Sequence, residues 1–88
     1  MSEAEAFFAS ELQRLIALPL TNDAELETWY DESAKLETVM EQRFSEVEFP
    51  HEVRHFIIDG DIRAKDAGYR DRQHRIIAGY IADLLKSN

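Results

Sequence analysis

Apolar residues recur along this chain every three or four positions, and no stretch shows the strict alternation of a half-buried strand. In the first stretch Ala4, Phe8, Leu12, Leu15 and Ile16 fall on one helical face. Ser2 and Glu5 give it the S-x-x-E spelling of a capping box, and Leu18, preceding Pro19, is pushed toward extended backbone. A helix over roughly 3–17 is predicted. Asn22 followed by Glu25 is a second start signal, with Asp23 placed to meet the positive end of the helix dipole. From there Leu26, Trp29, Leu36, Met40, Phe44 and Val47 keep the period, Ser33 filling the one polar step, which predicts a helix over 23–46. A helix of about 24 residues is roughly 36 Å long, more than a small domain needs, so part of it is expected to project.

Pro50 has φ fixed near the helical value and no N–H, which suits the first position of a helix. Val53, Ile57, Gly60 and Ala64, with Phe56 beside them, then form a face that narrows from bulky to small, where a neighbouring helix can approach closely. One helix over 50–65 is expected, carrying Asp59/Arg63 and Asp61/Lys65 as acid-before-base pairs. The alternative is a turn at Asp59-Gly60, a common turn dipeptide, that splits it. After Asp66-Ala67-Gly68 a last helix over 68–86 presents Tyr69, Ile76, Ile77, Tyr80, Ile81, Leu84 and Leu85. The expected fold is all-α, a bundle of four helices in a single domain.

At 88 residues, 44% of them hydrophobic, the chain supports a small core, and domains of this size often gain buried area by self-association. The lack of cysteine excludes disulfides and thiolate metal sites. MSEAEAFF is acidic where a secretory leader would be basic, and no apolar run approaches the ~18 residues of a membrane span. A cytoplasmic protein without a membrane partner is expected.

The net charge of −8 is unevenly spread. Residues 1–48 carry twelve acids against three bases, and residues 49–88 six against seven, so the halves stand at −9 and +1. The acidic half opposes nucleic-acid phosphates. Glu25, Glu27, Asp31, Glu32, Glu37, Glu41 and Glu48 crowd the second helix and the residues after it. Ordinarily such charges keep a surface solvated; the sharper reading is a face for a cationic partner.

His51-Glu52-Val53-Arg54-His55 has the H-E-x-x-H spelling shared by zinc metalloproteases of the zincin type, a resemblance confined to these five residues. It implies His51 and His55 as ligands on one helix face and Glu52 as base to a metal-bound water. A third ligand would have to come from His74 or a carboxylate such as Glu48, while Asp59, roughly 12 Å along the helix from His51, is too far to share its ion. Arg54, beside the histidines, opposes a divalent cation. The plainer expectation is no metal and no cofactor, with both histidines partly exposed in the first turns of a helix.

Tyr69-Arg70-Asp71-Arg72-Gln73-His74-Arg75 concentrates base near an aromatic ring that can stack, but Asp71 interrupts it. These patterns lead to a small binding or regulatory module with no catalysis of its own, whose ligand is a protein partner or a second copy. Expected contact residues are Glu37 and Glu41 opposite Arg70, Arg72 and Arg75, with Trp29 and Tyr69 as anchors. A zinc hydrolase is the alternative, and a phosphate or nucleic-acid binder through the three arginines is a third.

Overall fold

The computed structural model describes residues 2–86, which form five helices: α1 (Glu3–Ile16), α2 (Asp23–Arg43), α3 (His51–Ile58), α4 (Gly60–Lys65) and α5 (Ala67–Lys86). No strand occurs among the described residues, and the all-α class is as expected. No described helix is long and apolar enough to cross a membrane.

The predicted start signals form. The Ser2 hydroxyl accepts the Glu5 N–H at 3.1 Å while the Glu5 carboxylate accepts the Ser2 N–H at 3.2 Å, a complete capping box. Asn22 accepts the Glu25 N–H at 2.8 Å, and Glu25 reaches back to the N–H and hydroxyl of Thr21. Those two Thr21 bonds favour the ionised Glu25 carboxylate and lower its pKa.

α1 packs against both α2 and α5, and its Phe8 and Leu12 are wholly inaccessible to solvent. α4 connects α2 to α5, and α3 lies on α5. Two departures from the predicted boundaries shape the surface. α2 stops at Arg43 rather than 46, because Phe44 leaves the helix at φ −136°, ψ 45°. The Phe44 ring meets Phe7 at 5.3 Å and Phe49 meets Phe8 at 4.9 Å, so aromatic contacts draw the 44–50 segment onto α1. Nor does α2 project: Trp29, Ser33, Leu36 and Met40 bury it along its length, and the 36 Å long axis of the molecule accommodates it.

The expected third helix is two, so the bundle has five helices rather than four. Asp59, at φ −90° and ψ 21°, interrupts it between α3 and α4. Neither predicted pair forms among the described residues: the Asp59 carboxylate bonds Tyr69 and Gln73, and Asp61 lies 3.4 Å from the Tyr30 hydroxyl. Pro50 stands at the N-cap, one place ahead of its expected position, and α1 and α5 fall within one residue of their predicted limits. The small face at Gly60 does admit a close neighbour. A Cβ there would stand 2.5 Å from Cδ1 and Nε1 of Trp29, so only glycine lets the indole rest on the α4 backbone.

Candidate functional site

Helix α4 brings a charged side chain into the core. Arg63 is 1% exposed, its guanidinium over the Phe56 ring at 4.2 Å and the Trp29 ring at 4.6 Å. Its Nη1 donates to the Phe56 carbonyl and, at 2.7 Å, to Oε1 of Gln73. The Gln73 amide donates in turn to Asp59 at 3.1 Å, and Asp59 also accepts the Tyr69 hydroxyl at 2.5 Å. A neutral amide thus links a buried cation to a buried anion. Burial pulls the Arg63 pKa down to about 10, against the pull of the Asp59 charge, so the guanidinium is still cationic at neutral pH. Its Nε and Nη2 have no hydrogen-bond partner among the described residues, and the aromatic faces are what they meet. The hydrogen bond to Asp59 is also the largest cause raising the Tyr69 pKa.

The histidines of α3 stand over this network. The His51 and His55 rings are edge to face, 4.2 Å apart, and His55 Nδ1 lies 3.7 Å from Asp59. With Glu52, Tyr69, Arg72, Gln73 and Ile76 they line a groove of about 220 Å³. His74 does not join them; it meets the Phe56 ring at 6.2 Å, and burial together with the charges of Arg63 and Arg70 lowers its pKa. Among the described residues no three His, Asp or Glu side chains come together to hold a metal ion. Among the described residues, then, the H-E-x-x-H spelling has no third ligand beside it. Arg54, expected beside the histidines, instead donates to the Phe49 carbonyl at 3.1 Å.

A larger groove, about 350 Å³, opens where the end of α2 meets the 44–50 segment. Val47 and Phe49, both half-buried, contribute apolar surface beside the buried Met40, Glu37, Glu41 and Glu48 contribute carboxylates, and Arg54 is the one base of the lining. It exists because α2 ends at Arg43 and the chain turns after Phe44. Glu37, Glu41 and Glu48 form no ion pair among the described residues. On α1 and α2 the paired acids lie away from this groove: Glu32 bonds Arg14 and Lys35, and Glu11 bonds Arg14.

The basic stretch falls on the first half of α5. Arg72 and Arg75 are exposed and without an ion pair among the described residues, while Arg70 Nε stands 3.8 Å from Asp71. Ile76, one turn beyond Arg72, is 46% exposed. No protein-family model, curated protein or solved structure matches this chain.

Of the residues expected to make contacts, Glu37 and Glu41 come together in the large groove and Arg72 and Arg75 on α5. Trp29 does not serve as an anchor: it is 1% exposed, edge-on to Phe56 at 5.0 Å, inside the core. Tyr69 is half-buried with its hydroxyl held by Asp59. The surface residues the sequence reading missed are Val47 and Phe49 as groove lining and Ile76 as exposed apolar surface. Phe49 between Glu48 and Pro50 was the available signal, an aromatic in a segment with no helical period.

Proposed function

We propose that this chain is a protein-binding module, and that the groove between α2 and the 44–50 segment receives a basic, apolar-tipped segment of a protein partner. One observation carries the reading: three carboxylates without an ion pair among the described residues, Glu37, Glu41 and Glu48, border the half-buried apolar side chains of Val47 and Phe49. The two parts do different work. Each exposed ion pair contributes only about 0–1 kcal/mol, so carboxylates select and steer a cation. Burying one leucine-sized side chain contributes about 1.5–3 kcal/mol, so the apolar lining supplies most of the affinity.

The test is fluorescence anisotropy with a labelled helical peptide bearing arginine and leucine at alternate three- and four-residue spacing. The wild-type chain should bind it, and Glu37→Lys/Glu41→Lys should bind about tenfold more weakly, the effect of roughly 1.4 kcal/mol. A peptide with the same arginines but no leucine should also bind more weakly. Equal binding by the variant, or equal binding of both peptides, contradicts the reading.

A further inference from the structure

Resting on that reading of the groove, we infer that its occupant is the first half of α5 from a second copy of this chain. Arg72, Arg75 and Ile76 lie three and four residues apart and therefore share one helix face. That face has the chemistry the groove selects: two exposed guanidinium groups without an ion pair, beside an isoleucine that is 46% exposed. Gln73, Ile77 and Ile81 of α5 are buried, while Arg72 and Ile76 stand on its exposed flank, where they also line the smaller groove beside His51 and His55.

Gly79 lies on the same outward face, seven residues after Arg72, and a Cβ built there would meet nothing within 4 Å. Internal packing gives no reason for glycine in mid-helix, where it costs about 1 kcal/mol relative to alanine. A second body approaching the backbone closely does give one. Gly60 serves that purpose inside the molecule, under Trp29; Gly79 would serve it outside.

The two surfaces do not neutralise each other within one chain, since neither the groove carboxylates nor Arg72 and Arg75 form ion pairs among the described residues. Every copy presents both. A two-fold axis lets the groove of each subunit take the α5 face of the other, so the contact forms twice and the assembly closes as a dimer. A stable interface removes about 800 Å² from each partner, a modest share of the 5457 Å² this chain exposes.

Sedimentation equilibrium of the full chain tests this, using the wild type, Glu37→Lys/Glu41→Lys, Arg72→Glu/Arg75→Glu, and an equimolar mixture of the two variants. The wild type should be dimeric at low salt, with a dissociation constant at least about tenfold larger at high salt. Each variant alone should be monomeric, because both of its contacts then bring like charges together. The mixture should dimerise again, since one contact is native and the other has its signs exchanged. Gly79→Leu, which has room in the single chain, should weaken the dimer while leaving helical circular dichroism and Trp29 emission unchanged. A wild type that is monomeric at every concentration and both salts overturns the inference, and so does a mixture that stays monomeric or a variant that dimerises like the wild type. If the monomeric wild type still binds the arginine–leucine peptide, only the second copy is lost as partner; if peptide binding fails too, the groove itself is refuted.

Discussion

The indole of Trp29 rests on the backbone of Gly60 so closely that a Cβ at position 60 would stand 2.5 Å from two of its ring atoms. α2 and α4 are held together at this point, and the guanidinium of Arg63 lies over the same indole. Gly60→Ala should therefore destabilise the fold by about 1–3 kcal/mol, the usual range for an overpacked core, although alanine is the better helix former. Gly79→Ala should do the reverse, stabilising the single chain by up to about 1 kcal/mol, because nothing stands near the added methyl. Urea unfolding under conditions that keep the chain monomeric measures both. Equal effects of the two substitutions would contradict this account of α4.

Gln73 joins two buried charges, taking a hydrogen bond from Arg63 and giving one to Asp59. Gln73→Leu removes both at once and leaves each charge less satisfied, so it should cost about 1–3 kcal/mol. Because the chain has a single tryptophan, beneath Arg63, near-ultraviolet circular dichroism and Trp29 emission report whether the core rearranges. A loss well below 1 kcal/mol, with Trp29 unmoved, would mean that the bridge contributes little.

His74 gives the fold a pH dependence. Its folded-state pKa is lowered from 6.5 by burial and by the charges of Arg63 and Arg70. As pH falls, the unfolded chain takes up the proton first; the contribution is present above the unfolded pKa and is lost as pH falls toward the folded value. Stability should decline between about pH 7 and 5.5, and His74→Gln should flatten that decline. Denaturant midpoints across this range test the sign; a wild type that gains stability toward pH 5.5, or a variant with an unchanged slope, would contradict it.

Much of the fold was legible because caps and helical period are local. Ser2 with Glu5, Asn22 with Glu25, and the stripe through Leu26, Trp29 and Leu36 each specify structure within a few residues. The close approach at Gly60 followed from its place on the Val53–Ile57–Ala64 face. The break at Asp59 was not so plain, since its carboxylate is satisfied by Tyr69 and Gln73, ten and fourteen residues away. Arg63 looked like a surface partner for Asp59 because charged residues are rarely buried. Its spacing of three from Gly60 and seven from Phe56 placed it on the core face all the same. Trp29 was expected both in the core stripe and as a contact anchor, and its burial decides for the core. The groove depends on where Phe44 and Phe49 land on α1, long-range contacts that no local pattern records.

The groove bordered by Glu37, Glu41 and Glu48 is the surface proposed to bind a basic segment. Amide chemical-shift mapping during titration of the isotope-labelled chain with the arginine–leucine peptide locates that surface directly. The largest shifts should fall on Glu37, Met40, Glu41, Val47, Glu48 and Phe49, the residues around this groove. Shifts centred instead on the exposed Tyr30, Ile58 and Ile62, or no shifts at all, would contradict it.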